Sequence, residues 1–217
     1  MKKTKVLIVD DHHVVIGGIR SVLNELPEFQ VVGEAYNGRD AVRLAKALGA
    51  DIVIMDLSMP DLNGIDATLQ LKKKNPEIHV IIFTMYSDKE YLIDLIRAGI
   101  SAYVLKEDPL SDLILALKAV RAGGTYFSTM SPQILLEQIK QLDQNENTKN
   151  GFRDLSLRER EVLQLLAEGN NVKEIASKLN LSPKTVESHK YSLMAKLNVH
   201  NIADLTKIAI KKKLISP

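Results

Sequence analysis

The chain has 217 residues, of which 45% are hydrophobic and 26% charged, an ordinary composition for a globular protein of one or two domains. Because it contains no cysteine, the sequence excludes a disulfide framework, a thiolate metal site and a cysteine nucleophile. No apolar run approaches the ~20 residues that cross a bilayer, so we expect no membrane partner and a cytoplasmic location.

The formal net charge of +2 is unevenly distributed along the chain. Residues 1–126 carry 15 Lys and Arg against 17 Asp and Glu, whereas residues 127–150 carry 2 against 3. Residues 151–217 carry 12 basic against 7 acidic residues, a balance of +5. A small basic segment behind a mildly acidic one favours a nucleic-acid partner for the C-terminal part.

The first half of the chain alternates short apolar runs with segments of helical period. The runs cover residues 6–9, 31–32, 52–55, 80–83 and 102–105, and each is followed by apolar residues spaced for one face of a helix. No hairpin signal joins them. This pattern predicts an α/β domain in which five parallel strands form a doubly wound sheet with helices on both faces.

Polar residues follow four of these strands. The first run ends at Asp10 and Asp11, the third at Asp56, the fourth at Thr84 and the fifth at Lys106. In a parallel sheet these side chains converge on one edge, where ligands bind. Three carboxylates there repel one another unless a cation such as Mg²⁺ offsets them.

One carboxylate of such a site can act as a nucleophile toward a phosphoryl group. In such a site we expect Lys106 to hold one phosphoryl oxygen and the Thr84 hydroxyl to hold another. Taken singly, an Asp pair after a strand is often a helix cap, and a Thr or Lys at a strand end is usually solvated. Five such residues at four strand ends favour the site.

The C-terminal part changes character. Ser131 and Pro132 predict a helix to about Leu142, and the polar stretch DQNENTKNG predicts an exposed linker. Four short helices follow, and their predicted starts are the capping box Ser156–Glu159, Asn171 with Glu174, Ser182 with Pro183, and Asn201. The second and third form a helix-turn-helix pattern at about residues 171–190.

The third of these helices, residues 182–197, has a polar surface around an apolar stripe. We expect its N-terminal residues to enter the major groove of DNA, and an ordinary amphipathic surface helix is the alternative. The candidate DNA-binding residues are Lys184, Thr185, Glu187, Ser188, Lys190, Tyr191 and Lys196.

The motifs LIVDDH (7–12), MDLSMPDLNG (55–64), FTMYS (83–87) and YVLKEDP (103–109) closely resemble the response-regulator receiver family. The resemblance implies a flavodoxin-like fold, Asp56 as phosphoacceptor, and Mg²⁺ held by Asp10, Asp11, Asp56 and the Ser58 main-chain carbonyl. It also implies a switch in which Thr84 moves to the phosphoryl group and the ring of Tyr103 turns inward. From the residues alone, Tyr103 would be an aromatic side chain packed on a helix. His13 departs from the family, which often has Pro there, and could tune partner docking.

The stretches LSLREREVLQLLAEG and KEIASKLNLSPKTVESH resemble the LuxR-type helix-turn-helix of NarL/FixJ-type regulators. This resemblance implies that Thr185, Lys190 and Lys196 contact mainly phosphates. It implies that Glu187, Ser188 and Tyr191 face the bases. Val172 departs from the family, which usually has Asn there, and the helix cap is expected to have moved to Asn171.

Together the two resemblances imply a phosphorylation-dependent transcription regulator of a two-component system, not a turnover enzyme. The expected domains are a receiver at 4–122, a linker with a helix at 123–151 and a DNA-binding domain at 152–217. The expected partners are a sensor histidine kinase, two promoter half-sites and a second copy of the chain held through residues 201–212, with RNA polymerase as a further candidate.

Two alternatives stay open at this point. A Mg²⁺-dependent phosphohydrolase would use the same aspartyl nucleophile but needs a second acid–base carboxylate shortly after it, where this chain has Ser58. A constitutive DNA-binding regulator would tolerate a degenerate receiver, which the intact set of strand-end residues argues against.

Overall fold

The computed structural model describes residues 2–86, 89–128, 152, 154–212 and 214–215. The chain divides into two compact units, one holding the sheet and its helices and the other holding the last four helices. Each is considered by itself below. The helix predicted from Ser131 to Leu142 and the linker after it lie outside the described residues.

A parallel sheet forms the centre of the first unit. Its strands are β1 (Thr4–Val9), β2 (Phe29–Ala35), β3 (Ile52–Met55), β4 (His79–Thr84), β5 (Ala102–Leu105) and β6 (Tyr126–Phe127). Their order across the sheet is β2-β1-β3-β4-β5-β6, and every neighbouring pair is parallel. The predicted five-stranded, doubly wound architecture is confirmed, with one short strand added.

Five helices connect the strands: α1 (His13–Asn24), α2 (Gly38–Leu48), α3 (Gly64–Lys74), α4 (Lys89–Arg97) and α5 (Leu110–Arg121). Local sequence sets several of their ends. The side chains of Asn37 and Asn63 accept backbone N–H bonds at the starts of α2 and α3. Gly49 ends α2 at φ 61°, a left-handed conformation that costs glycine little.

Alternate residues of each central strand enter opposite layers of the core. On one side the strands pack with α1 and α5 around Val6, Ile8, Ile52, Ile54, Ile81, Phe83, Ala102 and Val104. The intervening residues, such as Leu7 and Val53, are equally buried on the other side. Each such aliphatic side chain contributes about 1.5–3 kcal/mol on burial, so the strands are held from both faces.

Strand β6 was not predicted. The expected domain limits assign these residues to the linker at 123–151, but the chain there runs along the free edge of β5. There Tyr126 pairs with Ala102 and Phe127 with Tyr103. Two residues are too few to show a periodic pattern, so only the presence of an open β5 edge makes them a strand.

The second unit contains α6 (Leu157–Ala167), α7 (Val172–Leu179), α8 (Pro183–Leu197) and α9 (Ile202–Lys211). Four buried leucine and valine side chains, Val162, Leu163, Val186 and Leu193, lie at the centre of its core. The predicted capping box of Ser156 and Glu159 is confirmed. Asn171 forms a second capping box with Glu174, which confirms that the cap of α7 has moved there.

Within the part of the chain that the structure describes, none of the helices combines the length and the apolar character needed to cross a membrane.

Candidate functional site

The candidate site lies at the point where the strand order of the sheet reverses. In the order β2-β1-β3, the connection from β1 leads to one side of the sheet and the connection from β2 leads to the other. This arrangement opens a crevice at the carboxyl ends of β1 and β3. Asp10 and Asp56 directly follow these two strands, and Lys106 follows β5. Asp10 and Asp56 are buried, and Asp11 is exposed.

The Lys106 ammonium connects the two buried carboxylates. Its Nζ lies 2.7 Å from Asp10 Oδ2 and 2.8 Å from Asp56 Oδ2, and its side chain is only 9% exposed. One cation therefore faces two anions away from solvent. The predicted convergence of these three residues is present in the structure.

The Asp56 carboxylate is also held by its own loop. Asp56 Oδ1 accepts the backbone N–H of Leu57 at 2.7 Å. The loop then passes so close to the start of α3 that a Cβ on Gly64 would lie 1.9 Å from the carbonyl oxygen of Asp56. Glycine is required at position 64 for this packing, a requirement that the sequence pattern alone does not reveal.

The charge balance of the site shifts two pKa values. Burial raises the pKa of Asp56, and the Asp10 charge adds to this rise, while the charge and hydrogen bond of Lys106 only partly oppose it. Burial alone would lower the pKa of Lys106, but the charges and hydrogen bonds of Asp56 and Asp10 raise it. The two carboxylates therefore favour the charged form of Lys106, whereas burial opposes the charge on Asp56.

His12 joins this cluster, which the sequence did not lead us to expect. Its Nδ1 lies 2.8 Å from Asp11 Oδ1 and 3.3 Å from Asp10 Oδ1. One ligand atom from each of Asp10, Asp11, His12 and Asp56 lies within 4.8 Å of the others. His12 and His13 are adjacent and lack the i, i+4 spacing of helical metal ligands, so the sequence pattern does not indicate a metal role for His12.

These four residues form a donor set that suits a divalent cation. Three carboxylates offer hard oxygen atoms, and His12 offers a ring nitrogen. The acidic cluster is therefore consistent with metal binding.

Thr84 and Tyr103 lie beside this cluster and are connected through one loop residue. Thr84 is fully buried, and its hydroxyl oxygen accepts the Tyr86 N–H at 3.4 Å. The Tyr103 hydroxyl donates to the Tyr86 carbonyl. The Tyr103 side chain is buried, with 1% of its surface exposed. Ser58 lies two residues beyond Asp56 and is half-buried.

In the second unit, helix α8 presents the predicted polar surface. It begins at Pro183 after the cap residue Ser182 and ends before Asn198. Spacing of i, i+3, i+4 and i+7 places Lys184, Glu187, Ser188 and Tyr191 on one face, and all four are exposed. Thr185 and Lys190 flank this face on its two sides, so the structure brings the predicted base-facing residues together.

Lys196 has a different environment. Its Nζ lies 2.7 Å from Glu159 Oε2 and 3.1 Å from the Asp154 carbonyl oxygen. Ser192 also donates to Glu159, at 2.6 Å. Burial would raise the pKa of Glu159, but hydrogen bonds from Lys196, Ser192 and Ser156 outweigh it and lower its pKa to about 2.

This network attaches α8 to α6 and gives Lys196 a structural partner. The phosphate contact suggested for Lys196 by its family resemblance stays a prediction, and the geometry supports it less well than the contact of Lys190. Glu159 was recognised as a capping residue, but its bond to Lys196 was missed because the two residues are 37 positions apart.

Both units match known families. Residues 6–118 match the response regulator receiver domain. Residues 153–209 match the luxR family of bacterial regulatory proteins. With the parallel sheet, the acidic site and the four-helix unit, these matches define the class: the chain belongs to the two-component response regulators of the NarL/FixJ type. It is a DNA-binding transcription regulator with a phosphoaspartate receiver site, not a turnover enzyme.

Full-length relatives agree with this assignment. The chain is 41% identical over 214 residues to the oxygen regulatory protein NreC of Staphylococcus carnosus, covering 97% of this chain and 99% of that protein. It is 36% identical over 210 residues to the response regulator UvrY of Escherichia coli K12, covering 96% and 94%. A solved structure of two RcsB dimers bound to two parallel DNAs matches with 34% identity, a TM-score of 0.56, and coverage of 95% of this chain and 97% of that one.

Proposed function

We propose that Asp56 accepts a phosphoryl group from a sensor histidine kinase and that this modification controls DNA binding by the second unit. The observation that carries the proposal is the buried Lys106 ammonium shared by Asp10 and Asp56. The backbone N–H of Leu57 orients the Asp56 carboxylate, and the Lys106 ammonium lies beside it, where it can contact the oxygens of an incoming phosphoryl group.

In the transfer step, an Asp56 carboxylate oxygen forms a bond to phosphorus as the phosphorus–nitrogen bond of the kinase phosphohistidine breaks. The electron pair of that bond returns to the imidazole nitrogen. The Lys106 ammonium stabilises the charge on the phosphoryl oxygens, because a charge-assisted hydrogen bond is strong in a buried site. Hydrolysis of the acyl phosphate later restores the free carboxylate.

Mg²⁺ is the proposed cofactor, held by Asp10, Asp11, Asp56 and the main-chain carbonyl of Ser58. When bound, it neutralises the carboxylates and the phosphoryl oxygens so that they can approach each other. The close grouping of the Asp10, Asp11 and Asp56 carboxylates supports this assignment.

The hydrogen bonds around Tyr86 supply a route from the site to the surface of the receiver. In this structure the Thr84 hydroxyl oxygen accepts a hydrogen bond from the Tyr86 N–H. We expect the Thr84 hydroxyl to move to a phosphoryl oxygen, and this movement breaks the hydrogen bond to Tyr86. Because the Tyr86 carbonyl is the acceptor of the Tyr103 hydroxyl, the loop and the ring respond together.

For the second unit, we propose that Glu187, Ser188 and Tyr191 face base edges in the major groove and that Lys184, on the same exposed face, also contacts the DNA. Thr185 and Lys190 then lie beside the phosphates, and Lys196 lies at the edge of the DNA contact surface. A dimer formed through residues 201–212 would read two half-sites about one DNA turn apart. The dimeric, DNA-bound RcsB structure supports this assembly.

The proposed location is the cytoplasm, and the proposed domain limits remain 4–122, 123–151 and 152–217. RNA polymerase is proposed as the further protein partner at the promoter.

The test is selection of bound DNA fragments by the full-length protein with Mg²⁺, with and without a small-molecule phosphodonor. We expect a paired motif to be enriched only with donor, and no donor effect for Asp56→Asn. Phosphate-affinity electrophoresis checks that wild type, but not the variant, is modified. Equal enrichment in all arms would identify a constitutive DNA-binding regulator instead.

A further inference from the structure

The side chain of His12 takes no part in capping the helix that follows it, although its backbone carbonyl accepts the N–H groups of Val15 and Ile16. This residue occupies the cap position of α1 with an extended backbone, yet its side chain makes no capping hydrogen bond. The imidazole turns instead toward the carboxylates, with Nδ1 2.8 Å from Asp11 Oδ1. Its backbone N–H donates to Asp10 Oδ1 at 2.9 Å, which places the side chain beside this oxygen.

The distances between these atoms suit ligands of one cation. Ligands at about 2.1 Å from an octahedral ion lie about 3 Å apart when adjacent and about 4.2 Å apart when opposite. The His12 nitrogen lies 2.8 Å and 3.3 Å from its two carboxylate oxygens. The whole donor set falls within 4.8 Å, so one ion can contact all four side chains after small adjustments.

We propose that His12 is a nitrogen ligand of the metal site and that it shifts the site's preference from Mg²⁺ toward transition-metal dications such as Mn²⁺. This inference rests on the proposed site of Asp10, Asp11 and Asp56. An all-oxygen site suits Mg²⁺, whereas an imidazole favours metals that accept nitrogen donors. The receiver would then respond to a phosphodonor at low Mn²⁺ concentrations as well as at high Mg²⁺ concentrations.

A purely electrostatic role for His12 makes the opposite prediction. If the imidazole only donates a hydrogen bond to Asp11, it competes with any cation for that carboxylate. Its removal would then strengthen the binding of Mg²⁺ and Mn²⁺ to similar extents.

The experiment compares full-length wild type, His12→Gln and the control His13→Gln. His13 is the adjacent histidine, but its ring lies against Tyr36, with 4.6 Å between centroids, and it is not among the residues of the metal cluster. Calorimetric titrations with Mg²⁺ and with Mn²⁺ give both affinities in a mildly alkaline buffer. Electron spin echo spectroscopy of bound Mn²⁺ reports directly whether a nitrogen nucleus is coordinated.

We expect His12→Gln to weaken Mn²⁺ binding by about 10-fold or more, with Mg²⁺ binding changed by less than about 3-fold. The nitrogen coupling should be present in wild type and His13→Gln and absent in His12→Gln. A wild type without the coupling, or parallel changes for both metals, overturns the inference.

The same data separate this inference from the metal site on which it rests. Asp11→Asn should weaken binding of both metals. If wild type binds neither metal, the proposed site itself fails. If wild type binds both metals through oxygen alone, only the role of His12 fails.

Discussion

The two units of this protein each contain a buried carboxylate paired with a lysine, and the two pairs are built in opposite ways. In the receiver unit, one ammonium is shared between two carboxylates, and the pKa of Asp56 is raised. In the DNA-binding unit, one carboxylate receives hydrogen bonds from Lys196, Ser192 and Ser156, and its pKa falls to about 2. The first cluster also holds the carboxylate of Asp11 and could accept a further cation, whereas in the second cluster hydrogen bonds surround a single carboxylate.

This difference separates a reactive site from a structural one. Buried charge that lacks a partner costs stability, and proteins retain such charge mainly where chemistry requires it. Charge that is fully hydrogen-bonded instead fixes how elements pack, as Glu159 does between α6 and α8. The following predictions test this contrast, beginning with the largest expected effect.

Replacement of Lys106 by Met should destabilise the receiver unit by about 3–5 kcal/mol, because it leaves two buried carboxylates without their shared cation. Native-state hydrogen exchange of the β3 and β5 amides, without divalent cations, measures the loss. Lys118→Met on the exposed side of α5 is the matched control. Similar protection in the two variants would contradict the role given to the buried ammonium.

Glu159→Gln should destabilise the second unit by on the order of 2 kcal/mol at neutral pH. Because the folded pKa of about 2 lies below the ordinary value of 4.5, this stabilisation is present above about pH 4.5 and disappears as the pH falls toward 2. Hydrogen exchange of the α6 and α8 amides, measured across this pH range, follows the loss of the stabilisation. Glu174→Gln, the exposed capping residue of α7, should change little. A pH-independent difference between wild type and Glu159→Gln would refute the assignment.

Asp56→Asn should raise the melting temperature of the receiver unit at neutral pH in the absence of divalent cations. A raised folded pKa means that the wild type loses stability as the pH rises through that value, so the gain should vanish in acid. Each kcal/mol corresponds to about 2–4 °C. Asp40→Asn is the opposite control, because the pKa of Asp40 is lowered by Arg43 and its removal should cost stability. A lower melting temperature for Asp56→Asn would falsify the idea that the buried charge of Asp56 destabilises the receiver unit.

The smallest effect concerns DNA. Lys190→Met should reduce the slope of log affinity against log salt by about 0.9, as expected when one phosphate contact is removed. Lys196→Met should leave the slope nearly unchanged, because the Lys196 ammonium is already held by Glu159. Fluorescence anisotropy at several salt concentrations measures both. Equal changes in slope would show that Lys196 contacts phosphate after all.

Much of the fold could be predicted because its signals are local. The apolar runs at 52–55 and 102–105 coincide with β3 and β5, and the capping boxes at Ser156 and Asn171 form as their residue types require. The convergence of Asp10, Asp56 and Lys106 also follows from sequence, since parallel strands bring their carboxyl ends to one edge.

Other features were decided by contacts between distant parts of the chain. Strand β6 exists because β5 leaves an open edge, and Lys196 is held by a glutamate 37 positions away. The spacing of His12 gave no sign of a ligand, yet the turn into α1 directs its ring at the carboxylates. The sequence alone therefore determined which elements form and where the reactive edge lies, because periodicity and capping act within a few residues. Only the tertiary structure decided which charges share a lysine and which carboxylates lie close together, because such pairing depends on distances of about 3 Å between residues that the chain order does not bring together.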